Sequence, residues 1–232
     1  MCSGGAGVPI LDRCGEQLPA QDPTGGYLIR CIVSPSATDL NAARVAFTGM
    51  AKAKEPRIAW VLTGSGHYLK ECMDIIRQLP GVNLFLSEAA GEVLKMYGYD
   101  LAKLRQSMKV FRDSTASSVP VTFLYGGEYH TVVIGPASSN TVAKCVAGIS
   151  DTLATNIYAQ AGKCRIPSIV FACDTAPALV SEAPGGDVWV YPRPIDLENV
   201  GKLAKFDHTT VVISVEELQT AIGKRLAELA HG

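Results

Sequence analysis

The residues best suited to hold a ligand lie between Thr131 and Thr141. Thr131 to Gly135 is an apolar run that reads as a buried strand, and Pro136 is expected to end it. Ala137, Ser138, Ser139, Asn140 and Thr141 follow, all small or polar, and a helix is expected from Thr141 or Val142. A strand that opens through a small, hydroxyl-rich turn into a helix builds an anion site. The first helical N–H groups lack partners within the helix, and the helix dipole favours negative charge there. The same residues also suit an ordinary N-cap, so the turn alone leaves both roles open.

Two further turns have a similar build. Thr63-Gly64-Ser65-Gly66-His67 follows the uncharged run Ile58 to Leu62 and opens the next helix. Its glycines let backbone approach a phosphate, and Thr63 and Ser65 add hydroxyl donors; the spacing is not the GxGxxG of dinucleotide folds. His67 is either a ligand contact or a solvated residue at a helix start. Ser87 follows the run Val82 to Leu86 and suits an N-cap; at a strand's carboxyl end it also faces the ligand crevice of a doubly wound sheet. Arg193, between Pro192 and Pro194, either pairs with an anionic group or stands on the surface. Trp60 and Trp189 read as core residues.

These turns need a scaffold, and the chain supplies alternating elements. Strands are expected at Ile58–Leu62, Val82–Leu86, Val121–Tyr125, Thr131–Gly135, Ser168–Ala172, Val188–Tyr191 and Val211–Ile213. Helices are expected at Tyr68–Gln78, Glu88–Tyr97, Leu101–Phe111, from Thr141, through Ala154–Ala161, at Leu197–Ala204 and at Val215–Leu229. Buried strands alternating with helices imply a mostly parallel sheet covered on both faces. Residues 1–56 are rich in Gly, Pro, Ala and Ser and read as an N-terminal extension or arm, with room for a strand at Tyr27–Val33 and a short helix at Asp39–Met50. The second unit, 57–232, is the ligand-binding domain.

Composition narrows the function. The chain has 232 residues, 47% of them apolar, a length and composition that suit one sizeable α/β core. A net charge of −1 without a basic run argues against nucleic acid. No stretch reads as a membrane span or a signal peptide. The seven cysteines lack CxxC spacing and read as free thiols of a reducing, cytoplasmic compartment. Cys2, Cys14 and Cys31 show no metal-ligand spacing, and no metal is expected.

The long block from Pro136 to Asn156 resembles the flavoprotein family of homo-oligomeric flavin-containing cysteine decarboxylases. The matching residues are Pro136 to Thr141, Ala143-Lys144, Gly148 to Asp151, Leu153 and Thr155-Asn156. Arg57-Ile58-Ala59-Trp60 leading into Thr63 to Gly66, then Ala183 to Gly186 and Arg193 to Leu203, resemble the archaeoflavoproteins and the flavin-dependent dihydromethanopterin reductases. The resemblance begins near Arg57. It implies a doubly wound, three-layer α/β/α fold of Rossmann-like or flavodoxin-like type. It also implies FMN as cofactor, held by Thr63, Gly64, Ser65, Gly66, Ser87, Pro136, Ala137, Ser138, Ser139, Asn140, Thr141, Cys173 and Asp174. Asn140 matches the asparagine beside the flavin ring.

The decarboxylase pattern is broken in two places. Cys173-Asp174 stands where those enzymes carry a Pro-Ala-Met-Asn-like motif. Their upstream histidine would fall near Thr122, and His130 stands where an acidic residue is usual. The resemblance therefore implies an FMN-dependent reductase acting on a dihydropterin such as dihydromethanopterin, with hydride added to a C=N bond. His67 or water is the candidate acid, and Asn140 and His67 the candidate catalytic residues. Electrons would come from NAD(P)H or a ferredoxin-like donor. The alternatives are an electron-transfer flavoprotein and, behind it, a phosphopantothenoylcysteine decarboxylase-like enzyme. The family further implies a trimer-based homo-oligomer, with Asn156, Tyr158 and Gln160 as boundary candidates.

Overall fold

The structure, a computed structural model, describes residues 57–114 and 118–231. The strand, helix and cysteines anticipated within residues 1–56 lie outside the described residues. Eight strands are described: β1 (Arg57–Leu62), β2 (Val82–Leu86), β3 (Val110–Arg112), β4 (Tyr129–Ala137), β5 (Ser168–Ala172), β6 (Leu179–Ser181), β7 (Val188–Val190) and β8 (Thr209–Val212). The described helices are α1 (Leu69–Gln78), α2 (Glu88–Met96), α3 (Leu101–Ser107), α4 (Ser118–Thr122), α5 (Ser139–Ala147), α6 (Leu153–Lys163), α7 (Pro194–Leu203) and α8 (Val215–His231).

Six strands form one sheet in the order β3-β2-β1-β4-β5-β8, with every neighbouring pair parallel. The strands are continuous apolar runs because each face of the sheet is covered. All five residues of β2 and of β5 are buried. Along β1 the side chains alternate: Ile58, Trp60 and Leu62 pack with α1, α2 and α8, whereas Ala59 and Val61 pack with α5, α6 and α7. The fold is a doubly wound, three-layer α/β/α sandwich, and its strand order is that of a Rossmann-type sheet.

Several elements differ from the sequence reading. The helix expected over Leu101–Phe111 stops at Ser107, and Val110–Arg112 becomes edge strand β3, pairing Val110, Phe111 and Arg112 with Leu84, Phe85 and Leu86. The expected strand Val121–Tyr125 is instead the end of short helix α4 and a turn. With the slot beside β2 filled by β3, this stretch has no strand to pair with, and Pro120 is tolerated in a first helical turn. Helix α7 starts three residues earlier than expected, with Pro194 at its first position. Val188–Val190 leaves the main sheet and forms an antiparallel hairpin with β6, a strand the sequence reading missed. Trp60 is fully buried, as expected, but Trp189 on this hairpin is 66% exposed and is not a core residue. Among the described residues no helix is long and apolar enough to cross a membrane.

Candidate functional site

The strand order reverses between β1 and β4: β2 follows β1 to one side, and β5 follows β4 to the other. A crevice opens at the carboxyl ends of two such strands, where a doubly wound sheet binds ligands. The Thr63–His67 and Ser138–Thr141 turns lie on its two sides. They are joined directly. Thr63 Oγ1 donates to the Pro136 carbonyl at 2.7 Å and accepts from the Ser138 N–H at 2.9 Å.

Pro136 does not end β4. The strand runs on to Ala137 through a bulge: Ile134 pairs with Val170, and pairing resumes at Ala137 with Ala172. A bulge leaves ladder carbonyls unpaired, and buried carbonyls need partners. Here β1 provides them: Trp60 Nε1 donates to the Gly135 carbonyl at 2.7 Å, and Thr63 takes that of Pro136. Trp60 is thus a core residue fixing the site's backbone. A Cβ on Gly135 would lie 3.2 Å from the Phe171 Cβ, tight even before relaxation.

Helix α5 starts at Ser139, earlier than the expected Thr141 or Val142, so Ser139, Asn140 and Thr141 form its first turn. Ser138 is the N-cap, accepting from the Thr141 N–H at 3.4 Å, and its hydroxyl lies 3.2 Å from that of Thr141. Ser87 caps α2 in the same way, accepting from the Ala90 N–H at 3.1 Å. Capping uses the serine oxygen as acceptor and leaves the O–H to donate outward, so capping and ligand contact are compatible. Asn140 is exposed on the crevice side of this turn.

Gly64, Ser87, Ser138, Asn140 and Thr141 line a cleft of about 810 Å³, joined there by Asp113 and Lys144. The sequence reading did not single out the last two as site residues. Asp113 was hidden because it follows β3; its carboxylate accepts from the Leu153 N–H at 2.9 Å and so starts α6. Lys144 pairs with Asp151 at 2.9 Å on the same rim. Glu88 and Glu92 add negative charge, so an anion in this cleft would meet the hydroxyls and helix amides rather than free side-chain cations.

Cys173 and Asp174 close the β5 side. The Cys173 amide donates to the Ala137 carbonyl at 3.2 Å, and its thiol lies 3.8 Å from the His67 carbonyl. Burial pushes this thiol up to about 12, so it stays protonated and is a poor nucleophile at neutral pH. Ser139 Oγ donates to Asp174 Oδ2. The His67 ring lies 3.8 Å from the Tyr68 ring, which stacks on Phe171 at 4.7 Å. Burial holds the His67 imidazole below its ordinary value; Asp174 first, then Glu71, oppose that shift.

The remaining candidates lie further out. Arg193 stands mostly exposed before α7, its Nε and Nη2 donating to Asp196 at 2.9 and 2.8 Å. Among the proposed boundary residues, Tyr158 and Gln160 are buried within this chain. Tyr158 bonds Thr209 at 2.9 Å, so only the half-buried Asn156 retains surface. His130 sits at the amino-terminal end of β4, away from the crevice, with Nδ1 2.7 Å from the Thr131 hydroxyl. Thr122, where decarboxylases carry their histidine, lies at the end of α4.

Fold and site together define a doubly wound protein with a crevice lined by hydroxyls and helix N-termini at its switch point. The family model described as Flavoprotein matches residues 48–231, and the chain belongs to that family. A relative named dihydromethanopterin reductase (acceptor), from Methanosarcina mazei, is 37% identical over 141 residues, which are 55% of this chain and 59% of that protein. The chain therefore spans less than two thirds of that relative's length. A solved structure of Burkholderia xenovorans DmrB in complex with FMN, described as a cubic protein cage for redox transfer, is 55% identical. It covers 77% of this chain and 99% of its own, with a TM-score of 0.72. A phenylacrylic acid decarboxylase from Aquifex aeolicus shares the fold, at 21% identity and a TM-score of 0.51, covering 68% of this chain and 81% of its own.

Proposed function

We propose that residues 57–232 form an FMN-binding domain and that the chain reduces a dihydropterin, dihydromethanopterin being the model substrate. The observation that carries this reading is the crevice itself. Its hydroxyl and amide donors come from the turns after β1, β2 and β4, a donor set suited to a phosphate and a ribityl chain. Its volume of about 810 Å³ suits a mononucleotide with room beside it. The names of the relatives support the same reading. Bound there, FMN would be held by Thr63 to Gly66, Ser87 and the Pro136–Thr141 turn, with Cys173 and Asp174 at the far side. The flavin supplies hydride chemistry; the chain positions the substrate, excludes water and supplies a proton, for which His67 is the candidate. Residues 1–56 would be an N-terminal extension or arm, and the cage described for the relative supports a trimer-based homo-oligomer.

A second reading, an electron carrier docking a ferredoxin-like donor, is favoured by the redox-transfer role in that relative's description. One anaerobic experiment separates the two. Protein with bound FMN is photoreduced and mixed with dihydropterins, including dihydromethanopterin. Flavin reoxidation with tetrahydropterin formed is the expected result. Flavin that stays reduced with every pterin, yet is reoxidised by a one-electron acceptor, rejects the reductase. The same assay with NADH, NADPH and reduced ferredoxin identifies the donor.

A further inference from the structure

We propose that the pocket at the amino-terminal ends of β1, β2 and β3 is a second binding site, for a small phosphorylated molecule of the nucleotide class. It lies at the opposite end of the sheet from the crevice: the length of β1, about 20 Å, separates Arg57 from Thr63. The inference does not rest on the flavin reading.

The pocket, of about 820 Å³, forms where α1 and α3 end and β2 and β3 begin. Four cations line it, each from a different place. Arg57 starts β1, Arg77 lies in the last turn of α1, Arg105 lies in the last turn of α3, and Lys109 precedes β3. No carboxylate is among its described lining residues. The crevice at the other end is the reverse, with Glu88, Glu92, Asp113 and Asp151 against Lys144 alone. In a chain of net charge −1, such segregation creates a local field that the composition does not.

Helix ends explain only part of this charge. A helix C-terminus carries about half a negative charge, which Arg77 and Arg105 offset. Arg77 is also engaged by Asp74 at 2.8 Å, and its guanidinium lies 5.5 Å from the Tyr99 ring centre. Arg57 and Lys109 belong to no helix end. Glu128, whose carbonyl accepts from the Arg57 amide at 2.9 Å, does not line the pocket. Among the described residues no salt bridge engages Arg57, Arg105 or Lys109. Cations without partners around one concavity attract a polyanion.

The rest of the lining favours an organic ligand over a bare anion. Phe111 and Phe123 are half-buried there with ring centroids 5.7 Å apart, and Phe111 is backed by Phe85 at 4.8 Å. Such rings receive a flat heterocycle by stacking. Asn83, 3% exposed, lines the same wall; its Nδ2 donates to the Tyr129 hydroxyl at 2.9 Å. That bond holds the amide in place and leaves it further donor and acceptor capacity for a ring edge. The volume falls in the usual small-molecule range of roughly 300–1,000 Å³, and a protein face would not reach recessed rings.

The test is calorimetric titration of the full-length, FMN-saturated protein with ADP, pyrophosphate and adenosine, repeated on Arg105→Gln/Lys109→Gln. Neither residue belongs to the proposed FMN set, so circular dichroism and the flavin spectrum are expected to stay unchanged. ADP is expected to bind at one site, pyrophosphate more weakly and adenosine weakest, with binding weakened by salt. The double variant is expected to lose ADP affinity by about tenfold or more. Lys109→Gln, with a smaller loss, is the readable variant if the double variant fails to fold. No binding of ADP or pyrophosphate overturns the proposal. So does ADP binding that the variants leave unchanged, which would place the nucleotide elsewhere. Adenosine bound as tightly as ADP rejects the phosphorylated class, and polyglutamate bound in place of ADP makes the occupant an acidic protein; either overturns the proposal. The expected ADP pattern in a chain that retains no FMN supports this site and rejects the flavin reading alone.

Discussion

Individual side chains at this site do two jobs at once. Thr63 bonds one backbone carbonyl and one amide across the crevice, so it fixes the Pro136–Thr141 turn whether or not it touches a ligand. Ser87 and Ser138 cap helices and still present an O–H. Asn140 differs, because it is exposed on the crevice side and its side chain is not needed by the cap. Asn140→Phe is therefore expected to leave folding nearly unchanged, within about 0.5 kcal/mol as for other exposed positions, while the protein purifies without FMN. Absorbance near the flavin bands, read against a denaturation curve, checks both halves; a fully yellow variant would remove Asn140 from the site.

At the scale of elements, the glycines of the first loop are set by what packs on them. A Cβ on Gly64 would lie 2.7 Å from the Ala89 Cβ in the first turn of α2, and neither group can swing away. Gly64→Ala is expected to cost about 1–3 kcal/mol through a shift of α2, measured by urea denaturation. At Gly66 the obstacle is the far end of a side chain, the Tyr97 hydroxyl, which the added carbon would overlap. That hydroxyl donates to the Glu182 carbonyl at 2.7 Å and tethers the β6–β7 hairpin to α2. Gly66→Ala should displace Tyr97 and release the hairpin, so its expected sign is faster proteolysis near residues 182–187 with a smaller loss of stability. Helix α7 carries a pH-dependent contribution. The Asp196 carboxylate accepts from the Arg193 amide at 2.9 Å and from its guanidinium, and these bonds hold its carboxyl below the ordinary 3.8. Lowered in the folded state, this group stabilises fully above the unfolded value, and the gain is lost as pH falls through the folded one. Asp196→Asn is expected to flatten the acid side of the stability curve, below about pH 4. Unfolding curves from pH 6 to pH 3 that keep the same slope would remove that role.

Among the described residues, the β6–β7 hairpin carries a surface that the core does not explain. The hairpin exposes Val180, Val188, Trp189 and Val190, and Tyr191 and Ile195 continue the patch; Trp189 and Tyr191 are 66% and 71% exposed. Two strands with apolar residues exposed on both faces gain little stability alone, and contiguous exposed apolar surface marks association. The proposed homo-oligomer gives this surface a cover, a second copy of the chain. Trp189→Arg is expected to lower the particle mass seen by light scattering while the visible spectrum of bound FMN stays normal in shape. An unchanged mass would exclude the hairpin from the interface.

The sequence by itself determined the layered α/β fold and the small, polar turns at the ends of its strands. Uncharged runs such as Ile58–Leu62 and Ser168–Ala172 suit strands buried on both faces, and Gly, Ser and Asn at their ends specify local backbone. It did not determine what depends on neighbours. Val110–Arg112 reads as the end of a helix until β2 offers a pairing edge, and Val121–Tyr125 reads as a strand until that edge is taken. Pro136 reads as a terminator until Trp60 and Thr63, more than 70 residues away in the chain, accommodate the bulge that carries β4 to Ala137. Trp189 reads as core on hydrophobicity alone, yet the hairpin carries it outward. Local chemistry fixed which turns could meet a phosphate. Only the tertiary structure brought Ser139 to Asp174, because hydrogen bonds between distant loops leave no periodicity in the sequence.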